Sequence, residues 1–330
     1  MTKSFKALVT VECDGQFVTS LAERKVADLP AGDLLIKVAY SSLNYKDALS
    51  ASGHPGVSRQ FPHTPGIDAA GIVETSNNSA FQAGDAVIVT GFDLGMNTDG
   101  GLAEYIRVPA SWAVPLPDGL SLKQAMVLGT AGLTAGLSVD KLIAAGIKPS
   151  ALVLVTGASG GVGSVAVALL ATQGFQVSAS TGKASSGDWL QALGAETIIE
   201  RDELAETTAR PLLKARWGAA VDTVGGSTLA TVLKSVEHSG LVTCCGLTAG
   251  DHFDPSVYPF ILRGVSLLGV DSVEISLAEK QRIWQLFATD WTLAEGVIDQ
   301  LVEVIDLEQC VDYLPRFLEG GIKGRVLVAL

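Results

Sequence analysis

Charged side chains are scarce in this chain of 330 residues: Asp, Glu, Lys and Arg make up 18% and aromatic residues only 6%. From Pro149 to Gly182 there is no charged residue at all, which would suggest a membrane span. Gly157 to Gly163 divide that stretch into a strand-length and a helix-length piece, each too short to cross a bilayer. Cysteine is equally sparse. Cys13, Cys244, Cys245 and Cys310 form no C-x-x-C pair, which argues against a disulfide framework or a cysteine-rich zinc site, and Cys244 and Cys245 read as small core residues of a buried strand. Basic residues are outnumbered, 23 Lys and Arg against 35 Asp and Glu for a net charge of -12, so broad affinity for nucleic acid is not expected. The first ten residues carry Lys3 and Lys6 and no long apolar core before a cleavage site. A cytoplasmic location and no membrane partner are therefore expected. No fixed-period repeat or low-complexity tract is visible.

What the chain does contain is Gly157-Ala158-Ser159-Gly160-Gly161-Val162-Gly163, between the apolar runs Ala151 to Thr156 and Ser164 to Leu170. A buried strand, a turn without side chains and a helix start are what a dinucleotide pyrophosphate requires. The glycines let backbone N–H groups reach the phosphates, and the helix N-terminus supplies positive potential. The context strengthens the motif. Phe175 to Ser180, Glu196 to Glu200, Ala219 to Thr223, Leu241 to Cys245 and Val265 to Val270 read as further short strands, with helix-length stretches such as Asp188 to Leu193 and Ser227 to Glu237 between them. Such alternation predicts an α/β fold with a doubly wound, Rossmann-type parallel sheet.

The first third has a different texture. Leu34 to Tyr40, Gly71 to Glu74, Ala86 to Thr90 and Ala103 to Val108 are short strand-like runs broken by Gly, Pro and Asp, the pattern of a compact antiparallel barrel-like unit. A helix is expected from about Leu122, another over Leu277 to Ala288, and strands at Val302 to Ile305 and Gly324 to Leu330 that rejoin the first unit. The expected division is a split catalytic domain, 1–122 and 273–330, around a nucleotide-binding domain, 123–272.

The combination of Ser41-Ser42-Leu43-Asn44-Tyr45-Lys46-Asp47, Pro65-Gly66-Ile67-Asp68, Gly129-Thr130-Ala131-Gly132, Pro259 to Arg263 and Gly269-Val270-Asp271-Ser272 with the glycine loop resembles the medium-chain dehydrogenase/reductase superfamily. More narrowly it is similar to the zinc-independent quinone oxidoreductase-like branch that includes acryloyl-CoA reductase. The resemblance spans essentially the whole chain and implies a GroES-like β-barrel catalytic domain beside the Rossmann domain. In the zinc-dependent relatives a metal-binding Cys falls within the segment similar to 44–47 and a His precedes the acidic residue of 66–68. Here Asn44 and Tyr45 occupy the first place and Ile67 the second, and His54 and His63 read as loop or surface residues. No metal is expected. Without a Lewis acid to assist alcohol oxidation, reduction of a polarised C=C bond is the better match.

At the end of the second sheet strand, where NAD-binding sheets carry an Asp or Glu, this chain has Ser180, Thr181, Gly182 and Lys183. Hydroxyls and an ammonium suit a 2′-phosphate, and Arg201 offers a bidentate contact, so NADPH is the expected cofactor. The resemblance implies a cofactor site of Tyr45, Ser159, Gly160, Gly161, Val162, Thr181, Gly182, Lys183, Arg201, Leu247, Ile261, Ser272 and Gly320. It also implies a catalytic pair. Asn44 would donate an amide N–H to a developing enolate oxygen, and Tyr45 would either orient the nicotinamide or relay a proton, with solvent as the alternative acid. A short α,β-unsaturated acyl-CoA is the first expected substrate; a quinone or reactive enal is the second, and a catalytically idle NADPH-binding protein the third. Arg59, Arg263, Arg316, Lys323 and Arg325 are the candidate cations for CoA phosphates. The apolar strand Val265 to Val270 would form a sheet edge, and an edge invites pairing with a second copy in a homodimer.

Overall fold

Long apolar runs between glycine-rich turns fold into a parallel sheet in a computed structural model that describes residues 3–205 and 210–330. Its strands lie in the order Thr197–Glu200, Gln176–Thr181, Leu152–Val155, Trp217–Asp222, Val236–Cys244 and Ser266–Gly269. Numbered by sequence, that order is 3-2-1-4-5-6, the doubly wound arrangement whose strand direction reverses beside the first strand. Val153, Leu154, Val155, Val177, Ala179, Ala219, Ala220 and Val221 have no exposed surface, as strands covered on both faces require. The helix Gly161–Thr172 lies on this sheet with Gly163 to Leu170 buried. The fifth strand starts at Val236, ahead of the expected Leu241, because Trp217 pairs with Val236 before the register shifts. The preceding helix accordingly stops at Ser235.

A second sheet runs in the order Val302–Asp306, Arg325–Ala329, Leu34–Leu43, Asp68–Ser76, Ala86–Thr90 and Ala113–Pro115, with Tyr105–Val108 also pairing with Leu34–Leu43. The C-terminal strands do rejoin the first, Val326 opposite Leu43. Every pairing in this sheet is antiparallel except Val302–Asp306 with Arg325–Ala329. That crossover is made by the helix Cys310–Leu318. A hairpin of Ser4–Cys13 and Gln16–Lys25 turns at Asp14 and Gly15, whose φ values are 52° and 76°. Two successive positive φ angles define the tight turn favoured by Asp-Gly.

The chain forms two compact units. One comprises Met1–Thr130, Ser272–Thr292 and Leu301–Leu330; the other comprises Ala131–Asp271 and Leu293–Gln300. The first change therefore falls at Thr130, later than the expected residue 122, and residues 293–300 go with the nucleotide-type unit. The helix Leu122–Ala144 spans that change, and Gly129 interrupts it with φ 53° and ψ -155°. Among the described residues it is the one helix long and apolar enough to cross a membrane, and 78% of its apolar window is buried inside the protein.

Candidate active site

In the nucleotide-type unit the turn after Leu152–Val155 is shaped by backbone proximity. Gly157 has φ 58°, and a side chain there would strike the Thr223 hydroxyl. Ala158 N–H donates to the Ser180 carbonyl at 2.9 Å, tying the turn to the second strand. Gly163 packs on the turn so closely that a Cβ would lie 2.8 Å from Ala158 Cα. Helix Gly161–Thr172 thus starts directly at the strand end, with Gly160 as its cap, and presents its first N–H groups as an anion site.

The next strand end gathers hydroxyls, a lysine and an arginine. Ser159 Oγ and Thr181 Oγ1 are 2.8 Å apart, and the Lys183 N–H donates to Thr181 Oγ1 at 3.0 Å. A Cβ on Gly182 would collide with Arg201 Nη2, Cζ and Nε. The Arg201 guanidinium therefore lies over the bare backbone of Gly182, beside Lys183. Ser159, Thr181, Gly182, Lys183 and Arg201 are brought together, and no residue from Ser180 to Lys183 is a carboxylate.

Further along the strand ends, buried Asp222 accepts from Thr156 Oγ1 at 2.7 Å and from the Gly225 N–H at 2.7 Å. Burial pushes its carboxyl above the usual range. Gly246 lies against the Thr223 carbonyl. Leu247 and Ile261 are exposed, at 58% and 68%, so neither is the core residue that its hydropathy suggests. Cys245 is held by burial, and secondarily by the Asp222 charge, with its thiol pushed up to about 12, which makes it inert as a nucleophile. Tyr45, Ser272 and Gly320 belong to the other unit.

In that unit, the strand Leu34–Leu43 runs through Asn44 into the helix Tyr45–Ala51. The Asn44 N–H donates to Asp47 Oδ2 at 2.7 Å, the helix-start bond expected of an acid three residues on. Its side-chain amide donates to Asp68 Oδ2 at 2.8 Å and to the Ser42 carbonyl at 3.2 Å, and its Oδ1 accepts from Arg325 at 3.3 Å. Both amide N–H groups are therefore engaged inside the protein. Asn44 is a structural connector here, and the expected enolate donor role is not matched by its hydrogen bonds. Tyr45, the first helical residue, is 39% exposed.

Asp47 also accepts from the Ile67 N–H at 2.9 Å. Burial, and secondarily the charge of Asp68, raise its carboxyl from 3.8 to about 7. The unfolded chain loses this proton near pH 4 and the folded one near pH 7. Over that window the unfolded state binds fewer protons, so the Asp47 contribution to stability is greatest in acid and falls as pH rises. The part falling between pH 5 and 8 amounts to about 2–3 kcal/mol. Denaturant melts at the two pH values are expected to show this loss in the wild type, and Asp47→Asn is expected to flatten it. An identical pH slope in both proteins would remove Asp47 as its source.

Several expected positions are corrected. His63 is buried, with Nε2 3.0 Å from the Gly95 carbonyl, because its backbone pairs with Thr10 of the N-terminal hairpin. Burial holds its imidazole below the usual range. Arg325 is fully buried and donates from Nε to the Val127 carbonyl at 2.9 Å and from Nη2 to Ser42 Oγ at 2.9 Å. Arg263 donates to the carbonyls of Lys234, Val236 and Leu213 at 2.9, 2.9 and 2.6 Å. Both are internal ties, not CoA ligands. Arg59 donates to the Pro55 carbonyl, and Arg316 stacks over Tyr313. Sequence reasoning also missed the roles of Asp68 and Arg325 as partners of Asn44.

A catalytic zinc needs three N, S or O ligands with an open position. Asn44 and Ile67 do not supply them, since the Asn44 side chain is bonded internally and Ile67 is apolar. Among the described residues no group of three or more His, Cys, Asp or Glu is placed to hold a metal ion.

A Rossmann sheet in one unit and a GroES-like sheet in the other define a dehydrogenase-type fold. The alcohol dehydrogenase GroES-like domain matches residues 30–118, and the zinc-binding dehydrogenase domain, so described, matches 161–289. Acrylyl-CoA reductase AcuI of Ruegeria pomeroyi is 42% identical over 327 residues, 98% of each chain. The yhdH oxidoreductase of Salmonella enterica, solved in complex with NADP, is 45% identical with a TM-score of 0.95, covering 98% of this chain and 99% of that one. The Bacillus subtilis protein yhfP, solved with NAD bound, is 43% identical with a TM-score of 0.96 over 100% of both chains. The chain belongs to the medium-chain dehydrogenase/reductase family, in its quinone oxidoreductase-like branch.

Proposed function

We propose that this protein is an NADPH-dependent reductase of the C=C bond of a short α,β-unsaturated acyl-CoA, acryloyl-CoA to propanoyl-CoA. The likeness to the Ruegeria pomeroyi reductase over 98% of each chain carries the substrate reading. The Arg201 guanidinium over Gly182 beside Lys183 supports the choice of the phosphorylated dinucleotide. The turn at Gly157 to Gly163 suits the pyrophosphate, since it is kept free of side chains: a Cβ at Gly163 would strike the main chain of Gly157 and Ala158, and one at Gly157 the Thr223 side chain. What a bound NADPH supplies is hydride for the β-carbon, leaving negative charge on the thioester oxygen and a proton to be added at the α-carbon.

The chain's own contribution is binding and orientation. Gly161 and Val162 offer N–H groups to phosphate, and Gly160, whose own N–H donates to the Gly157 carbonyl at 2.9 Å, holds the turn open for it. Ser159, Thr181, Lys183 and Arg201 hold the 2′-phosphate corner, and Leu247, Ile261, Ser272 and Gly320 complete the proposed cofactor contacts. With the Asn44 amide bonded internally, Tyr45 remains the side-chain donor of the proposed catalytic pair. It either steadies the nicotinamide or passes a proton, and solvent is the alternative acid. A fall in turnover of about 10²–10⁴-fold in Tyr45→Phe is expected if the phenol is the general acid; unchanged turnover assigns protonation to solvent.

The direct experiment is spectrophotometric NADPH consumption with acryloyl-CoA, crotonyl-CoA, a quinone and an enal. Saturable turnover with acryloyl-CoA is expected. Turnover only with quinone or enal favours the second reading, and tight NADPH binding without turnover favours an idle binding protein. The exposed strand edge at Ser266–Gly269, the last in its sheet, supports a homodimer that continues the sheet. Sedimentation equilibrium is expected to give twice the 34.2 kDa chain mass, and a monomer would refute that arrangement. A cytoplasmic location accords with these small-molecule partners.

A further inference from the structure

Four donors converge on the buried carboxylate of Asp68. Ser42 Oγ reaches Oδ2 at 2.7 Å, Asn44 Nδ2 reaches it at 2.8 Å, and Thr130 gives Oδ1 its hydroxyl at 2.5 Å and both oxygens its N–H at 2.9–3.0 Å. Arg325 lies 4.0 Å from Oδ2 and is bonded to the same Ser42 and Asn44 side chains. The backbone has conformed to this carboxylate. Gly129 takes φ 53°, and a Cβ there would lie 2.5 Å from Asp68 Oδ2 and from Ser42 Oγ. Only a residue without a side chain lets the Thr130 N–H approach.

Replacing such buried ionic clusters by apolar residues is often neutral or stabilising, so stability alone does not account for this arrangement. Its geometric product is definite. Ser42 and Asn44 are fixed by side chains from two other strands, and the residue that follows them is Tyr45, at the start of its helix. We propose that Asp68, with Arg325 as its fixed counter-cation, is a positioning residue that sets Tyr45 for the reaction. This rests on the reading of Tyr45 given above.

Asp68→Asn keeps size and one carbonyl but replaces an acceptor oxygen with a donor facing Ser42, Asn44 and Thr130. Misplacement by about 1 Å can cost about 100-fold in rate, and kcat with acryloyl-CoA is expected to fall at least about 20-fold on that ground. NADPH affinity is expected to change far less than kcat, since the residues assigned to the pyrophosphate and the 2′-phosphate are not among those bonded to Asp68. Amide exchange in segment 44–51, read by mass spectrometry, is expected to speed up about tenfold or more as its anchoring is lost. Ser42→Ala, which keeps Asp68 and Arg325 charged, is the second variant should Asp68→Asn fail to fold. It is expected to lose a smaller part of kcat and to show the same faster exchange.

Unchanged exchange in segment 44–51, or a kcat loss that merely tracks the folded fraction, would overturn the proposal. Should the wild type turn over none of the acceptors, the functional reading fails separately, and the exchange measurement alone still decides whether Asp68 positions Tyr45.

Discussion

Gly163→Val is expected to weaken NADPH binding by about 100-fold or more, equivalent to about 2.7 kcal/mol. A Cβ at this position would lie 2.8 Å from both Ala158 Cα and Gly157 C and would also meet the Gly157 carbonyl oxygen. All three are main-chain atoms, so no side-chain rotation relieves the collision. The helix Gly161–Thr172 must back away from the turn, taking with it the N–H groups of Gly161 and Val162 proposed to bind a phosphate. The overpacking itself is expected to cost about 1–3 kcal/mol of stability. Gly187→Ala is the control: a Cβ there meets only Ile198 Cγ1 at 3.9 Å, and NADPH affinity should be unaffected. Calorimetric titration of both variants, with denaturant melts, separates the two effects. NADPH affinity within tenfold of wild type in a folded Gly163→Val protein would contradict this account of the turn.

The parallel sheet was legible because its signal is local. Val153 to Val155 and Ala219 to Val221 are continuous apolar runs next to glycine turns, and a strand buried on both faces leaves that mark in four or five residues. The absence of a carboxylate at the second strand end was legible for a similar reason, as Ser180 to Lys183 are consecutive in sequence. The long-range polar tie was not. Ser42 and Arg325 are 283 residues apart in sequence, and a lone arginine at the start of a C-terminal strand looks the same whether it meets solvent or a buried carboxylate. Arg263 was misleading in the same way, since its three carbonyl partners belong to segments that only the fold assembles. The N-terminal hairpin carried a readable cue, Asp14-Gly15, but most of Gln16–Lys25 is half-buried or exposed, and that leaves little hydrophobic alternation to detect. His63 escaped because its burial comes from pairing with that hairpin.

Arg201→Ala is expected to raise the Kd for NADPH about 10–100-fold, since hydrogen bonds to a charged group contribute about 1.5–3 kcal/mol each. NADH affinity should hardly move, because the guanidinium over Gly182 is proposed to hold the 2′-phosphate and has no counterpart to hold on a 2′-hydroxyl. Gly182→Leu offers an independent route to the same end. Its side chain would take the space occupied by the Arg201 head group, and a flexible arginine swings aside at low cost, leaving the charge present but misplaced. Salt separates the two variants. In the wild type, part of the NADPH affinity is Coulombic and declines with ionic strength; Arg201→Ala flattens that decline, whereas Gly182→Leu retains most of it at lower affinity. Equal loss of NADPH and NADH binding in Arg201→Ala would show instead that this arginine supports the fold of the strand end and does not select the cofactor.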